Sequence, residues 1–136
     1  MSNKPHLFFV GVGNMGNPMA ANLIKAGYPT TVFDLAREKA DNLIELGAQW
    51  ADSLAAGAKN ADVVMCSLPG PKQVREVMLD PQGLIAHVHS GATIIDTSTS
   101  AVDLVKELTQ LTEAKGVDFL EAPVDRKSTR LNSSHT

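Results

Sequence analysis

The first chemistry this sequence can do lies in three glycines, Gly11, Gly13 and Gly16. "GVGNMG" has the G-x-G-x-x-G spacing and stands between an apolar run, "LFFV", and a stretch of helical periodicity. That is the setting in which the spacing holds a dinucleotide. Gly11 lets the chain turn sharply, Gly13 lets backbone approach a pyrophosphate, and Gly16 lets the next helix pack closely. The pyrophosphate then rests on the amides and positive end of that helix. A glycine-rich turn alone can be a tight loop and nothing more; between strand and helix the ligand reading is the stronger.

Asp34 strengthens it. It closes the β-branched run "TTVFD", 23 residues after Gly11, where a carboxylate accepts hydrogen bonds from both hydroxyls of an adenosine ribose. It also repels a 2′-phosphate, so NAD is favoured and NADP is the less suited cofactor. Arg37, just beyond, pulls the other way, because an arginine there is what a 2′-phosphate would want.

Other reactive side chains read as structural. Cys66 lies in a strand-like run beside Val63 and Val64 and is expected to be a small core thiol. As the only cysteine, it excludes an internal disulfide framework and a cysteine-rich zinc site. His87 and His89 lack a third ligand in view and read as surface residues, so no metal is expected. Met15 and Met19 read as core or pocket lining, and Lys25, Lys39 and Lys106 as solvated helix faces.

The 136 residues and 14.5 kDa fit one domain, enough to bury roughly two-thirds of the unfolded chain's surface. Hydrophobic content of 43% and a mean hydropathy of −0.04 describe a soluble globular chain. No run approaches a membrane span or a signal peptide, so no membrane partner and a cytoplasmic location are expected. A net charge of −3 gives no footprint for nucleic acid.

The elements that must position Gly11 and Asp34 follow from periodicity. "LFFVGVG" reads as a strand buried on both faces. Met15, Met19 and Leu23 mark a helix that Gly27 stops. "TTVFD" is a second strand, "REKADNLIEL" a helix, and "AQWA" a short third strand. "DSLAAGAKNA" is a helix opened by Asp52 or Ser53, "DVVMCSLP" a fourth strand, and Leu84 to Val88 one helical turn. "ATIID" is a fifth strand. Ser100 and Asp103 have capping-box spacing before a helix whose apolar stripe is Leu104, Leu108 and Leu111, and "VDFLEAPV" is a sixth strand. Strands alternating with helices imply right-handed crossovers and a doubly wound, Rossmann-type α/β domain with a mostly parallel six-stranded sheet.

"FFVGVGNMGNPMAANLIKAGYPTTVFD", "SLPGPKQV", "IIDTSTS" and "FLEAPV" together resemble the amino-terminal domain of the β-hydroxyacid dehydrogenases, the group of 3-hydroxyisobutyrate dehydrogenase and tartronate semialdehyde reductase. The resemblance spans His6 to Val124. It implies that Gly11, Val12, Gly13, Asn14, Met15, Gly16 and Asp34 hold the adenosine end of the cofactor. It places Leu68 and Pro69 along the nicotinamide ribose, and makes Gln73 and Thr99 further cofactor contacts. Val102 stands where the family has a proline, a change expected to alter a helix start and not the chemistry.

In that family Ala-Pro-Val runs on into a Ser-Gly-Gly that binds the substrate carboxylate; here Asp125, Arg126 and Lys127 follow. The substrate half of the site and the helical domain with the family's catalytic lysine therefore have no counterpart, and no catalytic or substrate-binding residue is nominated. The domain is expected to occupy 1–124 and a tail 125–136. From Asp125 to His135 the tail resembles a translated sequencing-library adapter; the rival reading is a natural disordered basic segment. Without the tail there are nine basic and 14 acidic residues.

The expectation is a cofactor-binding fragment of an NAD-dependent oxidoreductase. Its parent would move hydride between a small 3-hydroxy acid and NAD, and would be a homo-oligomer. The fragment itself would bind dinucleotide weakly, turn over nothing, and expose apolar surface near Phe119 and Leu120. The alternatives are an imine reductase or 6-phosphogluconate dehydrogenase-like NAD(P) enzyme, and a non-catalytic nucleotide-binding scaffold.

Overall fold

The computed structural model describes residues 4–98 and 101–122. Its framework is one sheet of six strands: β1 (Leu7–Val10), β2 (Thr30–Phe33), β3 (Gln49–Trp50), β4 (Val63–Cys66), β5 (Thr93–Asp96) and β6 (Asp118–Glu121). The order is β3-β2-β1-β4-β5-β6, with every pairing parallel. Parallel neighbours need crossovers, and helices supply them: α1 (Gly16–Lys25), α2 (Asp41–Glu45), α3 (Leu54–Lys59), α4 (Pro71–Leu79), α5 (Leu84–His87) and α6 (Val102–Lys115). The chain winds outward from β1 in one direction to β3, then returns to β4 and winds the other way. The doubly wound, parallel α/β expectation holds.

Alternation along the central strand builds two cores. Phe8 and Val10 point into one, shared with Val64, Cys66, Ile94 and Leu108; Phe9 points into the other, with Ala20, Val32 and Leu43. All four residues of β1 are buried, which is why its sequence reads as an unbroken apolar run. Helix α3 lies so close to the sheet that a Cβ on Gly57 would stand 2.2 Å from the Phe8 ring. Only glycine admits that contact.

Several local expectations need correction. Helix α4 was not anticipated between "SLP" and Leu84, although Pro71 at its first turn and Val74 and Met78 on its buried face are ordinary helix signals. The "REKADNLIEL" helix is a 3-10 turn over Arg37–Ala40 followed by α2. Of the two openings expected for α3, Asp52 or Ser53, the structure takes Ser53, whose Oγ accepts from the Ala56 amide at 3.1 Å.

The stripe of α6 is Leu104, Leu108 and Thr112, while Leu111 is exposed. A 4-residue step keeps position 112 on the buried face, and the Thr112 hydroxyl donates to the Leu108 carbonyl at 2.8 Å. Ala101 stands at the N-cap of α6 with no side-chain cap; Ser100 of the expected capping box lies outside the described residues, as do Pro123, Val124 and the whole 125–136 tail. Val102 is the first residue of α6, where the departure from proline was expected to act. Leu120 is 54% exposed on the edge strand β6 and Phe119 half-buried. No helix among the described residues is long and apolar enough to cross a membrane.

Candidate functional site

The first winding leaves β1 toward β2 and the second runs from β4 toward β5, so the switch point lies between β1 and β4. Ligands of such sheets bind beyond the carboxyl ends of the strands at that point. The register aligns those ends: Val10 pairs with Phe33 and with Cys66, and Cys66 with Asp96. The residues that follow, Gly11, Asp34, Ser67 and Thr97, therefore share one shelf. All four line a cleft of about 1150 Å³.

The glycine-rich loop is built as its spacing required. Gly11 has φ +91°, and a Cβ there would meet the Ser67 carbonyl oxygen at 2.1 Å. Gly16, the first residue of α1, would carry a Cβ 2.1 Å from the Gly11 carbonyl oxygen. Gly13 differs: a Cβ there meets nothing within 4 Å. The protein itself does not require that glycine, so the space above it is room for something else. Helix α1 has no side-chain N-cap, which leaves its positive end to a ligand.

Asp34 follows β2 and binds the loop directly. Its Oδ2 accepts from the Val12 amide at 2.9 Å and its Oδ1 from the Ala36 amide at 3.0 Å. A carboxylate has about four acceptor sites, so both oxygens keep capacity toward the cleft. The Val12 side chain is buried beneath the loop; only its backbone takes part. Asn14 and Met15 are exposed and line the cleft.

The opposite wall comes from β4 and α4. Leu68, Pro69 and Gln73 all line the cleft. Leu68 is fixed by its amide, which donates to Ser98 Oγ at 2.7 Å. Ser98 is fixed in turn, its amide donating to the buried Asp96 at 2.9 Å. This Asp96–Ser98–Leu68 chain was not read from the sequence, although hydroxyl residues crowding a strand end in "IIDTSTS" were its available signal. Thr99 lies outside the described residues.

Cys66 is fully buried, as expected, and burial pushes its thiol well above the usual range, with the negative charge of Asp96 adding to the effect. His89 lies 3.6 Å from Asp62, away from the cleft lining. Among the described residues no three potential ligands gather to hold a metal. Lys39, expected on a solvated face, lines the cleft rim. Against it stand four carboxylates, Asp34, Asp52, Glu76 and Asp80. Arg37 is not in the lining; its guanidinium lies 5.4 Å from the Trp50 ring centroid and 3.9 Å from Asp41.

Comparison with known proteins agrees with this architecture. The family described as the NAD binding domain of 6-phosphogluconate dehydrogenase matches residues 6–129. A 3-hydroxyisobutyrate dehydrogenase of Pseudomonas aeruginosa is 43% identical over 116 residues, 85% of this chain and 39% of that protein. Among solved structures, Mycobacterium tuberculosis 3-hydroxyisobutyrate dehydrogenase with L-serine is 34% identical with a TM-score of 0.82, over 90% of this chain and 41% of that one. Psf3 in complex with NADP+ and 2-OPP is 32% identical with a TM-score of 0.83, over 88% and 42%. This chain thus spans about two-fifths of the relatives it matches. The glycine loop, the switch-point cleft and these matches agree: the chain belongs to the β-hydroxyacid dehydrogenase family, as an NAD-binding domain of the 6-phosphogluconate dehydrogenase type.

Proposed function

We propose that the chain is the dinucleotide-holding part of an oxidoreductase that moves hydride between a small 3-hydroxy acid and NAD. The observation that carries the reading is the open space over Gly13, next to the uncapped start of α1. A Cβ would intrude on that space without touching the protein, which is what a cradle for a pyrophosphate requires. Asp34 takes the adenosine ribose hydroxyls with its remaining lone pairs. NAD is preferred over NADP because Asp34, Asp52, Glu76 and Asp80 make the cleft unfavourable for a further phosphate.

When bound, NAD supplies the hydride acceptor, and the protein's share is placement. Leu68 and Pro69 border the nicotinamide ribose, and the Ser98 hydroxyl sets the Leu68 backbone. Gln73 and Thr99 add polar contacts, and Val12 holds Asp34 through its amide. No side chain of this domain is assigned the substrate's proton, and the chain by itself turns over no hydroxy acid. The parent acts as a homo-oligomer.

Titration calorimetry of the whole chain with NAD+ and NADH tests the reading. Binding that Gly13→Ala abolishes while the melting temperature holds supports it. Absence of binding by the unaltered, folded chain refutes it, and so does steady NADH production with a panel of small 3-hydroxy acids for the statement about turnover.

A further inference from the structure

Asn17 and Asn42 form a closed pair of side chains behind the glycine-rich loop, and neither lines the cleft. We propose that Asn42 is a positioning residue for the dinucleotide: through Asn17 it holds the peptide of Gly13 in place before the cofactor arrives. The proposal rests on the dinucleotide reading above and adds to it a residue that stands outside the cleft.

The connection is continuous. Each amide donates to the other's oxygen at 2.9 Å, Asn17 Nδ2 to Asn42 Oδ1 and Asn42 Nδ2 to Asn17 Oδ1. Asn17 Nδ2 also donates to the Lys39 carbonyl at 2.9 Å, so both N–H donors and the oxygen of that side chain are engaged. The backbone amide of the same residue donates to the Gly13 carbonyl at 2.9 Å. Three bonds hold the Asn17 side chain, and a fourth carries its position to the residue that faces the pyrophosphate.

Beside this clasp lies a hollow of about 450 Å³, lined by Gly13, Asn17, Pro18 and Lys39 among others. Hydrogen bonds, and not filled space, therefore set the distance between the two helix starts here, Asn17 being the second residue of α1 and Asn42 the second of α2. Asp34 ties the loop at Val12; the asparagine pair ties it on the other side of Gly13. Gly13 has no side chain to anchor it, and glycine has the most conformational freedom to lose. A peptide fixed in advance spares the ligand the cost of ordering it. Asn42 is exposed, where a hydrogen bond adds little to the fold because water replaces it. Affinity and stability are thus separable at this residue.

The experiment is calorimetric titration of NAD+ and ADP into the whole chain, unaltered and as Asn42→Ala, Asn17→Ala and both together, with amide hydrogen exchange of the unliganded chains followed by NMR. Asn42→Ala should weaken both ligands, which share the two phosphates, by the same factor, about three- to tenfold, the scale of one hydrogen bond. The melting temperature should fall by less than about 3 °C. Exchange of the Asn17 amide should quicken while amides later in α1 keep their protection, and the double variant should bind no more weakly than Asn17→Ala alone. Unchanged NAD+ affinity in the Asn42→Ala chain, a loss confined to NAD+, losses that add in the double variant, or an Asn17 amide whose exchange does not move overturns the proposal. So does a larger fall in melting temperature accompanying the loss of affinity, which would mark a structural role. Absence of NAD+ binding by the unaltered, folded chain overturns the underlying reading instead, and this proposal with it.

Discussion

The Val12 amide donates to Oδ2 of Asp34 across 2.9 Å, so the glycine-rich loop and the end of β2 are one mechanical unit. The same carboxylate receives the Ala36 amide. A residue proposed to hold the cofactor's ribose is thereby also a structural clip.

Asp34→Asn separates those roles only partly, because an amide has one oxygen where the carboxylate has two. One backbone N–H loses its acceptor, which should lower stability by about 1–2 kcal/mol. NAD+ affinity should fall about tenfold or more with loss of a charge-assisted hydrogen bond. Thermal melting and NAD+ titration on the same sample check both; an unchanged melt would show that the clip contributes nothing.

Gly11 and Gly13 should separate cleanly. Gly11→Ala forces a side chain onto a backbone at φ +91° and against the Ser67 carbonyl, a cost of about 2–4 kcal/mol from strain and clash. Gly13→Ala has free space, so the unfolding free energy from denaturant titration should change by less than about 0.5 kcal/mol while dinucleotide binding is lost. Equal destabilisation by the two would remove the argument from open space.

Ser98→Ala removes the acceptor of the Leu68 amide. An orphaned, part-buried donor should cost about 1–2 kcal/mol. If Leu68 and Pro69 border the nicotinamide ribose, NAD+ affinity should fall more than that of ADP, which lacks that ribose. Parallel losses for both ligands would place the Leu68 wall elsewhere.

Cys66 gives a pH dependence whose sign is fixed. The folded thiol is raised by burial and then by Asp96, so above an unfolded value near ~8.5 the unfolded chain releases a proton that the folded chain keeps. Stability from this group is full below that value and falls as pH rises beyond it. Melting series from pH 7 to about 10 should show a steeper decline for the natural chain than for Cys66→Ala; equal slopes would mean the thiol is not the cause.

The legible parts of the sequence were those where one residue type answers one local demand. Gly11 and Gly16 are required by contacts within 2.1 Å, and Asp34 by its place after a strand. The buried run of β1 named itself, and so did the doubly wound parallel sheet once helices alternated with strands, although the order of its strands came only with the structure. What escaped depended on partners distant in sequence. The Ser98 bond to Leu68 joins residues 30 apart, and Gly57 is small because of Phe8. Helix α4 escaped because its start lay inside a motif read for chemistry, and Leu111 because a stripe of leucines hid the buried Thr112.

The pairing of Val10 with Phe33 and Cys66, and of Cys66 with Asp96, makes the last residues of four strands a single rung. Everything proposed to touch the cofactor's polar groups leaves from that rung, so the sheet acts as a ruler. An added residue beyond the rung only reshapes a loop. An added residue before it slips the strand by one place, turns its core side chains to the opposite face, and carries its share of the site out of line at the same stroke. The tolerance of this domain to insertion should therefore change abruptly at Val10, Phe33, Cys66 and Asp96, a boundary that a scan of single-residue insertions would trace across the sheet.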